Sequence, residues 1–253
     1  MNIRNLRLKM NRWLVVLAIV STACTKETAQ DIVNRSIAAH GGESYRNFYA
    51  AFDFRDKHYT LKRKKGEYVY TRSFTDSTGR YYDELTNQGF KRLRNDTVMT
   101  LTEDKTKAYT SSVNSVIYFA LLPYGLNDPA VIKKSVGSTS LEGKPYNIIE
   151  VSFEQEGGGT DFEDKFLYWI HASSYTVDYM AYSYQTNGGG LRFRKAYNPQ
   201  VMQGIRFQDY INYKPKDEKN TSLQDLEALY TRGELEELSR IEVKNLTVTT
   251  NQN

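Results

Sequence analysis

Short stretches of alternating apolar and polar residues, separated by turn-forming residues, recur along this chain and constrain its fold more than any other feature. The stretch with Phe52, Phe54 and Leu61 is one example, and similar stretches return between residues 146 and 213. Successive side chains of a strand point to opposite faces of a sheet, so the pattern predicts strands with one face in a core. Their short spacing, with glycine and asparagine between them, predicts an antiparallel meander or barrel.

Three segments depart from this alternation and show apolar residues at helical spacing. They are residues 32–38, 111–124 and 223–230. The first is followed by His40-Gly41-Gly42, and glycine just past a helix is a common C-terminal cap. The second is the most apolar part of the chain after residue 23 and ends near Pro123. We expect this second helix to pack against a sheet.

The amino-terminal 23 residues have the pattern of a bacterial secretory signal. A basic stretch up to Arg12 precedes an apolar run at residues 13–20, and small residues lead into Cys24, the single cysteine. The apolar run is too short to span a membrane. Small residues before a lone cysteine are typical of a lipobox, although Ser21 stands where a large aliphatic residue is usual. The alternative is ordinary secretion with an unpaired thiol.

This pattern predicts the organisation of the chain and its place in the cell. We expect a signal peptide at residues 1–23, a lipidated tether at 24–30 starting with acylated Cys24, and one domain at 31–250. Two or three acyl chains would anchor the protein stably. The predicted location is the cell envelope, as an outer-membrane lipoprotein facing the periplasm or the cell surface.

The charge balance argues against a nucleic-acid partner. The chain has 34 basic and 30 acidic residues, and four of the basic residues lie in residues 1–23, which contain no acidic ones. Without that segment 34 − 4 = 30 basic residues face 30 acidic ones. A neutral chain has no basic surface that would indicate DNA or RNA binding. With Cys24 acylated, no disulfide is available, so burial alone must hold the fold.

No motif for a metal or a cofactor is present, and we predict neither. The three histidines do not have zinc-ligand spacing, and the glycine runs do not match a phosphate-binding loop. They are His40, His58 and His171. The acidic segment of Asp161, Glu163 and Asp164 offers oxygen ligands for a weak cation site, but solvated turn residues explain it better.

Charged residues also occupy alternate positions in several of the predicted strands. They are Asp53, Arg55, Arg72, Asp83, Arg192 and Arg194. If they point inward, they form buried ion pairs or a polar patch in a cavity. If they point outward, they form a solvated sheet face. Both alternatives remain open from sequence.

Several segments resemble an uncharacterised lipoprotein family of Bacteroidota, best represented in flavobacteria. They are His40-Gly41-Gly42, residues 52–56 and 112–120, Glu156-Gly157-Gly158-Gly159, and Arg192-Phe193-Arg194. The resemblance covers roughly residues 28–248. It implies no known reaction, so no catalytic residue is carried over.

The order of elements more loosely resembles the periplasmic lipoprotein carrier and its receptor, the LolA/LolB type. This resemblance implies a mainly β (α+β) fold, a strongly curved antiparallel sheet or half-open β-barrel of about 10–11 strands. A few helices would close its mouth over a hydrophobic cavity. Function does not follow from such a likeness of fold.

The first functional hypothesis is a non-catalytic, membrane-anchored protein that binds a lipid or acyl chain in the concavity of the sheet. The helix near residues 113–121 would act as a lid. The residues expected to line the cavity are Phe52, Phe54, Tyr68, Tyr70, Val113, Ile117, Leu121 and Trp169.

Two alternatives belong to other classes. An envelope hydrolase or lyase would use carboxylates such as Asp53, Asp83 or Asp161, but no nucleophile–base spacing supports it. A glycan-binding or protein-binding lipoprotein would use exposed tyrosines. The candidates for that surface are Tyr179, Tyr182 and Tyr184.

Overall fold

The computed structural model describes residues 27–156, 162–185 and 188–250. These residues form fourteen strands and three α-helices. The strands pair antiparallel in two sheets of seven. The first sheet has the order β14-β1-β2-β3-β4-β5-β6, and the second has the order β13-β12-β11-β10-β9-β8-β7.

The strands of the first sheet are β1 (Asn47–Phe54), β2 (Lys57–Lys64), β3 (Glu67–Asp76), β4 (Gly79–Thr86), β5 (Gly89–Arg94), β6 (Thr97–Val98) and β14 (Lys244–Thr250). Those of the second are β7 (Val131–Leu141), β8 (Lys144–Phe153), β9 (Lys165–His171), β10 (Val177–Tyr184), β11 (Gly190–Met202), β12 (Ile205–Pro215) and β13 (Leu235–Ile241). The helices are α1 (Ala29–His40), α2 (Glu103–Ala120) and α3 (Leu226–Thr231).

The predicted mainly β, antiparallel fold with a few helices is confirmed. The described residues contain more strands than the expected 10–11, because β7 and β13 carry little hydrophobic alternation. Among the described residues no strand of one sheet pairs with a strand of the other, and the edge strands β13 and β14 follow directly in the chain. They do not close into a barrel.

Helix α1 packs on the second sheet. Thr28 and Asp31 form a capping box at its start, which satisfies free backbone N–H groups there. Ile32 and Val33 are buried with residues of the second sheet. Gly41 ends the helix, as predicted, and its N–H donates to the carbonyl of Ile37.

Helix α2 lies between the two sheets. Thr102 caps its start, and Glu103 and Asp104 in the first turn interact favourably with the helix dipole. Val113 and Ile117 enter the core of the first sheet, and Tyr118 and Phe119 pack against the core of the second. The helix begins at Glu103, eight residues before the predicted segment, because its first turns are polar and exposed.

Helix α3 covers the opposite face of the second sheet. Leu226 of this helix is buried there with Trp169 and Phe193. Strand β9 therefore has both faces buried, one under α1 and the end of α2 and the other under α3. No helix among the described residues is long and apolar enough to cross a membrane.

Candidate functional site

Two cavities flank the carboxyl-terminal half of α2. The first has a volume of about 210 Å³ and lies between α2, β1 and the β11–β12–β13 part of the second sheet. We call it the Arg194 cavity. Most of its wall is apolar, with side chains from both sheets and the helix. They include Phe52, Phe54, Val116, Phe119, Ala120 and Ile241.

One end of the Arg194 cavity is polar, and some of its buried atoms lack a hydrogen-bond partner, although Nδ2 of Asn212 donates to Ser239 over 3.3 Å. Arg194 and Asn212 face each other across β11 and β12, and both line the cavity. Among the described residues, five buried side-chain atoms have no hydrogen-bond partner, and three of them are here. They are Nε and Nη1 of Arg194 and Oδ1 of Asn212.

Aromatic rings hold the Arg194 guanidinium in place. Its carbon Cζ lies 4.1 Å from the ring centroid of Phe119 and 5.0 Å from that of Tyr182. Nη2 donates a 2.7 Å hydrogen bond to the hydroxyl of Tyr182. Burial raises the pKa of Tyr182, so its hydroxyl is neutral near pH 7 and does not balance the charge. No carboxylate in the described part of the chain forms an ion pair with Arg194.

The second cavity lies on the other side of α2 and has a volume of about 440 Å³. Tyr68, Tyr70, Ile117 and Leu121 contribute to its wall. The arginine in its wall, Arg63, already has partners, because it donates hydrogen bonds to the hydroxyls of Tyr70 and Tyr124. Burial raises the pKa of Asp128, which also lines this cavity.

Six of the eight residues predicted to line a ligand cavity line one of these two. Phe52 and Phe54 line the Arg194 cavity, and the other four line the second. Val113 is fully buried in the core beneath α2. Trp169 lies elsewhere, and its predicted place in a cavity does not match the structure. It points to the α3 face of the second sheet, where its indole N–H donates to Glu227 over 2.8 Å.

The six charged residues at alternate positions do not form one site. Arg194 lines the cavity and Arg55 is exposed at its edge, with φ of 57° in a turn. Asp53 is half-buried and accepts hydrogen bonds of 2.7 Å from His58 and Asn245. Arg192 donates hydrogen bonds to Glu218 over 2.7 Å and to the hydroxyl of Tyr184 over 2.6 Å.

Arg72 and Asp83 belong to a separate buried cluster with Arg92, beneath α2. The three residues lie opposite one another on β3, β4 and β5. Asp83 is 0% exposed and accepts from Arg72 Nε at 2.8 Å and from Arg92 Nε at 2.5 Å. Arg92 also lies 3.5 Å from the ring centroid of Tyr109. This cluster is fully paired, and we assign it a structural role.

The arrangement gives no support to the catalytic or cation-binding alternatives. Asp53 and Asp83 have separate partners on different strands, and Asp161 lies outside the described residues, as does Cys24. Within the described ranges no three His, Cys, Asp or Glu residues are grouped to hold a metal.

The tyrosines proposed for a glycan-binding surface do not form an exposed strip. Tyr179 and Tyr182 are 3% and 9% exposed and belong to cores on opposite faces of the second sheet. Both rings therefore pack in the protein interior rather than on its surface.

Sequence reasoning missed Asn212 and Phe119 as cavity residues. Asn212 follows Gln208 and Tyr210 at alternate positions of β12, and all three line the cavity. The feature that could have identified Asn212 is its polar side chain in an otherwise buried strand. Its position opposite Arg194 depends on strand register, which the sequence does not show.

Several solved structures resemble this chain, and one of them reaches a TM-score of 0.50 and supports the fold. A DUF1329 family protein from Desulfovibrio piger aligns over 90% of this chain and 96% of its own, with a TM-score of 0.50 and 9% identity. A LolA superfamily protein from Nitrosomonas europaea aligns over 90% and 95%, with a TM-score of 0.48 and 11% identity. A domain described as an outer-membrane lipoprotein-sorting protein, from Vibrio parahaemolyticus, aligns over 89% and 94%, with a TM-score of 0.39 and 8% identity.

Sequence comparison shows the family of the chain. No curated protein of known function matches the sequence. One family model matches residues 10–243, which is most of the chain. The protein therefore belongs to the family of unknown function DUF6503.

Proposed function

We propose that this protein is a cell-envelope lipoprotein, anchored through acylated Cys24, that binds the apolar chain of a lipid-like ligand in the Arg194 cavity. The observation that carries the proposal is the apolar wall of this cavity, to which both sheets and α2 contribute. Ligand pockets are typically mostly apolar with a few convergent polar groups. The signal-like segment at residues 1–23 and the resemblance to a Bacteroidota lipoprotein family support the anchor and the outer-membrane location.

Helix α2 is suited to act as the lid. Val113 and Ile117 are the fully buried residues among its eighteen. Its carboxyl-terminal half separates the two cavities, so the packing of these two residues limits how far that half can move. The Arg194 cavity, at about 210 Å³, is smaller than the roughly 300–1,000 Å³ of typical ligand pockets. Movement of the end of α2 would join it to the second cavity of about 440 Å³.

Filling the cavity should block binding. We expect Ala120→Trp to weaken the binding of dodecanol at least about tenfold, because the indole takes the space of the acyl chain. The matched control is Ala108→Trp, at an exposed position of the same helix. Both variants are made in residues 25–253, which contain every described element, and binding is measured by native mass spectrometry and by competition with a fluorescent acyl probe.

Equal dodecanol affinity in the two tryptophan variants would show that the chain binds elsewhere. Thermal unfolding of both proteins checks that Ala120→Trp remains folded. Solvent extraction of the purified protein adds an independent measurement, since a bound lipid at a one-to-one ratio is the result expected of a carrier.

A further inference from the structure

We propose that the ligand carries a single anionic end group, a carboxylate, which Arg194 binds at the polar end of the Arg194 cavity. This inference rests on the proposed function and specifies the ligand class. The ligand is then a single-chain amphiphile whose tail lies along the apolar wall and whose head meets the guanidinium. Arg194 lines this cavity, and its buried Nε and Nη1 donors have no hydrogen-bond partner in the described part of the chain.

The buried arginines of this protein provide an internal comparison. Arg72, Arg92 and Arg194 are each less than 10% exposed. The first two share the carboxylate of Asp83. Arg194 has no such partner in the described part of the chain, although an unpaired buried charge is costly. A ligand carboxylate would supply the missing charge.

The aromatic contacts of Arg194 do not account for its burial by themselves. Phe119 and Tyr182 offer cation–π attraction, and the Tyr182 hydroxyl accepts one N–H. A guanidinium has five N–H donors, and Nε and Nη1 of Arg194 have no hydrogen-bond partner in the described part of the chain. Cation–π attraction is weaker than the loss of hydration on burial. The stable arrangement therefore includes an anion at these donors.

Charge balance favours a carboxylate over a phosphate monoester. Arg194 is the one buried cation lining the cavity, and Arg55 is exposed at its edge. A carboxylate carries one negative charge, which one guanidinium neutralises. A phosphate monoester carries up to two, which would leave excess negative charge next to apolar side chains.

The test compares dodecanoate with dodecanol, which share a chain length and differ in charge. For the unsubstituted residues 25–253 we expect dodecanoate to bind at least about tenfold more tightly. In Arg194→Met the ratio of the two affinities should fall to about one, because dodecanoate loses its counter-charge. Arg194→Lys should keep part of the preference, since it retains the charge. Denaturant unfolding of Arg194→Met should show no loss of stability, because an unpaired buried charge is removed.

Arg192→Met is the matched control. Arg192 lies two residues away on the same strand but is paired with Glu218. This variant should keep the preference for dodecanoate. Equal binding of dodecanoate and dodecanol, or an unchanged preference in Arg194→Met, would overturn the inference. Tighter binding of dodecyl phosphate than of dodecanoate would overturn the choice of a carboxylate. If neither dodecanol nor dodecanoate binds, the proposed function itself fails, which is a distinguishable result.

Discussion

Replacing Asp83 by asparagine should lower the free energy of unfolding by about 3–5 kcal/mol. Asp83 is fully buried and is the shared acceptor of Arg72 and Arg92, which are 5% and 6% exposed. Asparagine has nearly the same shape but no charge, so two guanidinium groups would remain buried without a counter-charge. Urea unfolding at pH 7, followed by circular dichroism, measures the change.

Two comparisons show whether this loss comes from buried charge. Arg72→Met leaves a one-to-one pair of Asp83 with Arg92, so it should cost clearly less than Asp83→Asn, despite the loss of the 2.7 Å bond to Ser112. Asp96→Asn makes the same chemical change in an exposed pair with Arg80 on the same sheet and should have a far smaller effect. If Arg72→Met costs as much as Asp83→Asn, the buried charge is not the cause.

The sequence predicted the fold wherever apolar side chains mark the inner face of a strand. Two strands lack that mark. In β7 exposure alternates strictly, but its inward positions include Lys133, Ser135 and Thr139, so no hydrophobic period appears. Edge strand β13, with the sequence LEELSRI, consists largely of good helix formers and buries no residue fully. This segment forms a strand because it pairs with β12, and that pairing depends on the tertiary structure.

The candidate site was less predictable, because it depends on which face of each strand is covered. In β9, Tyr168 and Trp169 enter different cores. Neighbouring positions of the strand therefore point to opposite faces, one toward α1 and the other toward α3. In β11, Arg192 and Arg194 share a face, yet Arg192 reaches Glu218 and Arg194 lies under Phe119. Alternation identifies such residues as candidates, and packing between distant elements selects the one that lines the cavity.

Acidification should destabilise the protein through His40, by about 3 kcal/mol between pH 6.5 and pH 4. Burial lowers the pKa of this completely buried imidazole to about 4. Its ring is held in the neutral form: Nδ1 donates to the carbonyl of Ser36 at 2.9 Å, and Nε2 accepts from the N–H of Val177 at 3.4 Å. In the unfolded chain a histidine has a pKa of roughly 6.5. Below that pH the unfolded chain binds a proton that the folded protein does not.

The His40 contribution is therefore complete above about pH 6.5 and is lost as the pH falls toward 4. Urea unfolding at several pH values in this window should show a shallower pH dependence for His40→Gln than for the unsubstituted protein. The glutamine loses part of the hydrogen bonding, so the slope with pH, rather than stability at one pH, is the relevant quantity. An equal slope in His40→Gln and the unsubstituted protein would mean that carboxylates, and not the buried His40 between α1 and β10, cause the loss of stability at low pH.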